Sequence, residues 1–452
     1  MQRSMKLFFK YVSLNMLGML GISFYILADT LFIAQALGPV GIASLNLSIP
    51  AFGIIHGFGL MLGLGGATRY KILLSRHKTE QANRVYSQTF LFAVIMGLLF
   101  MVVGRFGAEI IAQIMGADAE TMEMTTVYLR TILTFAPFFV VNNMLLSFVR
   151  NDGDPSLAMY GMVIGSIINV ILDYIFIFPM QLGMFGASLA TSVSPIISLL
   201  ILAIHFFKPV NQLKLKVQKI EGWIIRDVTH LGASAFINEL SASVVLFAFN
   251  LIIFSLEGNN GLAAYGIIAN IAFVVMALFA GVAQGAQPLI SESYGLQNLK
   301  QMKQVLTLSL ITTLVLSLLV YGGTALFRDP IIAAFNSEGS SHIAGMATNG
   351  LLLYFIGFVF AGMNTILTSY FGATDQPNRA LAFSLLRGGL IIIPLALILS
   401  RLLGMNGVWL SYVLTEALIL LIIAIVIDPN KRIRKGKPGR LKIRRPRWMR
   451  IR

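Results

Sequence analysis

Apolar residues run in long blocks along this chain, separated by short stretches rich in Gly, Pro, Asn, Asp and basic residues. Twelve blocks are long enough to cross a bilayer as helices, which takes about 20 apolar residues each. They fall at 11–37, 41–72, 85–113, 122–150, 157–180, 184–207, 225–254, 261–294, 303–327, 344–373, 379–402 and 406–428. Gly38-Pro39, Asn151 to Pro155 and Asp375 to Asn378 read as turns between them. The expected fold is therefore an all-α polytopic membrane protein.

The pattern also repeats. Leu182-Gly183-Met184-Phe185-Gly186-Ala187 returns as Leu403-Gly404-Met405-Asn406-Gly407-Val408, 221 residues later. Gly41-Ile42-Ala43 returns as Gly261-Leu262-Ala263 at 220, Gly66-Ala67 as Gly285-Ala286 at 219, and Asp154-Pro155 as Gln376-Pro377 at 222. Four ordered matches at a near-constant offset mean duplication of a six-helix unit. Six is even, so both copies insert the same way up, as in transporters built from parallel repeats. The expected organisation is a first lobe over 1–212, a second over 213–430, and a tail over 431–452.

Charge then orients the chain. Lys and Arg gather after the even-numbered blocks: Arg69 to Arg84, Arg150, Lys208 to Arg226, Lys300 and Lys303, and Arg379. The odd connections are Gly-Pro turns or acidic, as at Glu109, Asp118, Glu120, Glu123 and Glu257, with Arg105, Arg328 and Arg401 as exceptions. The positive-inside rule places both termini in the cytoplasm, with the protein multi-pass in the plasma membrane. The net charge of +15 does not argue for nucleic acid, because 12 of the 34 Lys and Arg lie in Lys431 to Arg452. That tail, with Trp448, reads as a contact for anionic lipid headgroups. A 57% hydrophobic, 12% charged composition, with mean hydropathy +0.80, excludes a soluble globule. The absence of cysteine excludes disulfides and thiolate metal sites. The first block carries Asp29 and no small-residue cleavage site, so it reads as a span and not as a signal peptide.

Candidate chemistry lies where polar residues interrupt the blocks. Asn169 and Asp173 are four apart in the fifth block, one above the other on a helix face. A carboxylate at the centre of a spanning helix costs about 2.5–3.5 kcal/mol, and such residues mark ion or proton paths. Asp29 in the first block and Thr191 in the sixth complete a set of oxygen donors suited to H⁺ or Na⁺. At the repeat offset, Asn169, Asp173 and Thr191 correspond to Leu390, Pro394 and Tyr412, and Asp29 falls on Phe249 or Asn250. The second lobe lacks the set, which favours function over a shared folding need. Tyr25 and Ser166 lie one turn before Asp29 and Asn169 and are candidates to line the same cavity, as is Asn142. Glu239 is the acidic residue deep in the seventh block and a candidate substrate contact. Glu292 sits near a block end, Glu416 reads as structural, and His56 pairs with a neighbouring helix on this reading.

These features together resemble the multidrug and toxic compound extrusion (MATE) family, in its bacterial multidrug form. The resemblance rests on Leu27 to Ile33, Arg150 to Asp154, Asn169 to Asp173, Gly186 to Thr191 and Gln287 to Ile290. It covers the chain to about Asp428. It implies two six-helix lobes forming a V, no cofactor beyond the coupling ion, and a cation site at Asp29, Asn169, Asp173 and Thr191. The implied function is a secondary antiporter, monomeric, exporting amphipathic or cationic drugs in exchange for H⁺ or Na⁺. Two positions depart from the family: Asn15 and Ser234 stand where members often carry proline. The alternative is a flippase for lipid-linked oligosaccharides, which would line its cavity with Arg and Lys, whereas this chain holds nearly all its cations in loops. An enzyme is disfavoured, since no nucleophile–base pair or metal-ligand spacing appears in the blocks. The duplicated lobes suit alternating access better than a channel.

Overall fold

The computed structural model describes residues 2–216, 219–335 and 340–426; the basic tail lies outside them. The chain forms α1 (Gln2–Ser75), α2 (Thr79–Ile114), α3 (Met122–Thr134), α4 (Ala136–Asn151), α5 (Pro155–Ile177), α6 (Gly183–Ala203) and α7 (Gly222–Gly295). It continues with α8 (Leu299–Leu326), α9 (Arg328–Phe335), α10 (Ser341–Tyr354), α11 (Gly357–Ala373), α12 (Pro377–Leu385), α13 (Ile392–Leu403) and α14 (Met405–Val426). Two of these are 74 residues long, far beyond the ~20 residues of one crossing. Each is two spans joined through a glycine in the left-handed region, Gly38 (φ 64°) and Gly258 (φ 57°). Tyr11 and Ser75 both touch the last part of α7, at Gly285 and Gly295, so α1 doubles back on itself.

Three further spans are broken. α3 and α4 meet at 52° beside Pro137, and α10 and α11 meet at 45° beside Gly357, where an added Cβ would lie 2.5 Å from the Tyr412 ring. The third break separates α12 from α13 by a π-helical segment, Leu386–Leu390. Counting the doubled helices as pairs and the broken ones as single spans, the described residues cross twelve times.

Backbone geometry repeats with the sequence. Left-handed φ values occur in pairs at Gly38 and Gly258, His77 and Gln297, Gly153 and Asp375, and Gly183 and Gly404. These positions share the 220–222 offset of the sequence motifs, including sites where the residue type has changed. The turns are thus inherited features of a duplicated unit, in two lobes built around separate cores. Tyr70, Tyr86, Phe148 and Leu129 lie in the first core, and Phe249, Phe355, Phe358 and Trp409 in the second.

The lobes join at the end that carries the N-terminus and the basic loops. Gly281 and Gly285 let α7 approach the α1 backbone, where an added Cβ would meet Met16 and Tyr11 at 2.8 Å. Arg69 pairs with Asp227 and with Asp375 (2.8 Å), and Lys71 with Glu292 (3.2 Å), which places Glu292 at this basic end. Buried Arg150 donates to Asn15 Oδ1 (2.6 Å) and Gln284 Oε1 (3.1 Å), while Asn15 Nδ2 donates to the Gly281 carbonyl (3.0 Å). Asn15, at the position where proline was expected, is thus a polar tie between lobes. Beside it Asn151 donates to Gln287, and Gln287 to Thr68. Asp154 caps α5 through Leu157 N and accepts from Lys208 (2.7 Å). Although burial opposes it, these donors hold its carboxyl below the ordinary carboxylate range.

Candidate functional site

α5, α1 and α6 bring the polar set of the first lobe together. Asp29, Asn169, Asp173 and Thr191 are all buried, at 6%, 0%, 0% and 4% exposure. In the amide orientation that satisfies both neighbours, Asn169 Nδ2 donates to Asp173 Oδ2 (3.0 Å) and its oxygen accepts from Thr191 N–H (3.2 Å). Asn169 is therefore a bracket that ties α5 to α6 and aims Asp173. Phe32, nearly one turn beyond Asp29, packs edge-on to Tyr174 beside Asp173 (6.2 Å), and Asp29 lies within electrostatic reach of Asp173.

One oxygen on each carboxylate, Asp29 Oδ1 and Asp173 Oδ1, is buried and accepts no hydrogen bond from the protein. Among the described residues no Lys, Arg or His pairs with either. A buried acceptor without a donor costs about 1–3 kcal/mol, and more when charged. A proton or a hard monovalent cation removes that cost, because all the free donors are oxygen. A polyvalent metal has no support: among the described residues no three His, Cys, Asp or Glu converge.

Of the other candidates, Tyr25 lies within electrostatic range of both carboxylates. Tyr128 of α3 does too, and it sits beside Thr191. Tyr128 escaped the sequence reading because it lies one helix away and shares no spacing with the other members. Ser166 is buried in the seam with α1, against Gly21, and its hydroxyl donates to the Met162 carbonyl (2.8 Å). Its place is one of helix packing. Asn142 has a buried Oδ1 without a hydrogen-bond partner.

Glu239 is not part of this set. It stands on α7 with its side chain 37% exposed, and His56 of α1, 26% exposed, places Nδ1 3.4 Å from Glu239 Oε2. The partner expected for His56 is thus a helix of the opposite lobe. Both residues lie about 27 Å from either end of their helix halves, at mid-length. A half-exposed carboxylate at that depth faces a wet cleft. Phe52 stacks on His56 and meets Phe139 edge-on, and Phe58 meets Phe236 at 4.8 Å.

The second lobe has a polar cluster of its own. Arg387, on the π-helical break, pairs with Glu416 of α14 (3.0 Å), and Asn364 of α11 donates to Glu416 Oε2 (2.7 Å). Arg387 also donates to Thr365 (3.3 Å). Arg387 is an exception to the expectation that nearly all cations keep to the loops, and Arg150, expected after the fourth block, lies buried in the last turn of α4. Arg387 was visible in the eleventh block, but its partner lies in the twelfth and only folding brings them together.

The sequence pattern of the MatE family matches residues 15–175 and again 235–398, two copies 220 residues apart. The multidrug export protein MepA of Staphylococcus saprophyticus is 27% identical over 395 residues, 85% of each chain. MepA of Staphylococcus aureus is 28% identical over 393 residues, again 85% of each. Among solved structures, an outward-facing multidrug resistance MATE transporter superimposes with TM-score 0.88 over 94% of this chain and 95% of that one, at 23% identity. The Vibrio cholerae MATE transporter VcmN gives 0.88 over 96% and 98%, at 20% identity. With both copies of the family pattern in place on two six-helix lobes, the chain belongs to the MatE family of membrane transporters.

Proposed function

We propose that this protein exports amphipathic, cationic organic compounds from the cytoplasm in exchange for H⁺ or Na⁺ taken up at Asp29, Asn169, Asp173 and Thr191. The observation that carries this is the pair of buried carboxylate oxygens without protein donors, Asp29 Oδ1 and Asp173 Oδ1. The names of the relatives, multidrug export proteins, support the drug substrate, and Glu239 in an aromatic-walled cleft supports a cationic one. They do not favour the lipid-flippase alternative. Basic loops at the joined end support a cytoplasmic placement of that end and of both termini. With the lobes joined at that end, a cleft between them faces outward on this reading. The lobes are 1–212 and 213–430, acting as a monomer, with the 431–452 tail on anionic lipid.

The cation acts through a difference in affinity between the two orientations of the V. Taking up a proton or Na⁺ neutralises part of the carboxylate pair, so α1 and α5 can pack more closely in one state than the other. H⁺ is the preferred ion, because Asn169 spends its amide oxygen on Thr191 N–H and its NH₂ on Asp173. That is a proton-site bracket and leaves one ligand fewer for Na⁺. The test is dye efflux from proteoliposomes under separately imposed gradients. A pH gradient should drive it. Efflux that follows Na⁺ at constant pH and ignores a pH gradient would overturn the H⁺ assignment, and efflux indifferent to both would overturn antiport.

A further inference from the structure

We propose that His56 is a built-in competitor for the substrate: its imidazole holds Glu239 across the lobe interface, and a cationic ligand must displace it. This rests on the reading of Glu239 as a substrate contact. The pair is a polar contact between the lobes midway along α1 and α7. Below it Gly57 packs against Phe236, where an added Cβ would lie 2.9 Å from the ring, and against Glu239 Cβ at 3.3 Å. Above it, Gly53 faces the Ser243 hydroxyl, whose oxygen would lie 3.4 Å from an added Cβ. His56 and Glu239 thus sit within the close approach of the two lobes, between these two contacts.

Their exposure makes the arrangement replaceable. A structural pair at bilayer depth would be closed off, as Arg387 and Glu416 are at 11% and 5%, but His56 and Glu239 stay at 26% and 37%. At 3.4 Å the imidazole Nδ1 faces one carboxylate oxygen, Glu239 Oε2. The neighbouring groups are apolar or uncharged: Phe52 and Phe139 on one side, Phe58 and Phe236 on the other. A flat aromatic cation matches this lining, with its charge on Glu239 and its rings on phenylalanine faces. Because the pair joins opposite lobes, ligand binding and this contact exclude each other. On the outward-facing reading proposed above, His56 engages Glu239 in the state in which an exporter releases its load. It therefore lowers cation affinity where release requires it, which is the differential affinity that transport needs.

The test is equilibrium binding of tetraphenylphosphonium to the purified full-length protein at one fixed pH. Glu239→Gln should weaken binding about tenfold, and His56→Leu should tighten it about three- to fivefold, the range of a half-exposed pair. In a Glu239→Gln background, His56→Leu should change nothing, because the competitor has lost its target. His56→Ala serves as a second variant, and both are checked for monodispersity. Tightening that persists without Glu239, or binding that weakens or stays unchanged in His56→Leu, would overturn the competitor role alone. Binding indifferent to Glu239→Gln would overturn the underlying reading of Glu239 as well.

Discussion

The two lobes descend from one unit yet solve the problem of buried charge in opposite ways. In the first, Asp29 and Asp173 lie together with a free oxygen each and no basic partner among the described residues. In the second, Glu416 is engaged by Arg387 and Asn364, so its charge is matched within the protein. At the repeat offset Arg387 stands where the first lobe has Ser166, and Glu416 where it has Pro195. The second lobe thus carries a tethered cation, whereas among the described residues no protein cation pairs with the carboxylates of the first. A site that is complete by itself has nothing to gain from an ion gradient, so the antiport proposed above assigns coupling to the first lobe.

The comparison breaks most visibly at Asp173. Asp173→Asn keeps the shape and the Asn169 contact but cannot ionise, so gradient-driven efflux should fall by about two orders of magnitude, a loss of ~3 kcal/mol. Expression should stay near normal, and Asp29→Asn should behave alike. Coupled efflux at the parental rate in either variant would remove that residue from the mechanism.

Glu416→Gln should act on stability instead. Leaving one partner of a buried pair alone costs about 3–5 kcal/mol. A lower Tm is expected, with the ion dependence of the surviving transport unchanged. The double variant Arg387→Leu, Glu416→Leu should regain most of the Tm. If the single variant kept its Tm but lost its response to the gradient, the second lobe would be a coupling site after all.

Thr191→Val sharpens the choice of ion, removing one oxygen and leaving both titrating groups. H⁺ coupling predicts a modest shift of the pH optimum, and Na⁺ coupling a clear rise in the Na⁺ concentration needed. The smallest effect belongs to Leu390, the counterpart of Asn169, which is exposed. Leu390→Ala should leave efflux within about twofold of the parent, since surface changes cost little. A large loss there would put function at the equivalent position of both lobes.

Much of this was legible in the chain. Long apolar blocks commit a segment to cross the bilayer as a helix, because the backbone has no other way to satisfy its polar groups there. Twelve spans, the duplication and the basic end follow from composition along the chain. Asp29, Asn169 and Asp173 stood out because a polar residue in lipid must have a reason, and helical spacing links positions four apart. The direction of a hydrogen bond was not legible. Asn169 is a donor to Asp173 and an acceptor from Thr191 only because α6 presents its backbone N–H at that point.

Contacts between distant helices were decided by packing alone. Asn15 and Arg150 are 135 residues apart, His56 and Glu239 lie in different lobes, and Tyr128 and Arg387 share no spacing with the groups they meet. Spacing reports neighbours along one helix, because 3.6 residues per turn is a local rule. Which helix lies opposite depends on where glycines such as Gly281 and Gly285 let backbones approach, and on where Gly38 and Gly258 turn the chain back. The sequence alone therefore determined the spans, the repeat and the buried carboxylates of the first lobe. The tertiary structure decided which of those carboxylates have partners, because in a membrane interior a charge is satisfied only by what packing brings within about 3 Å.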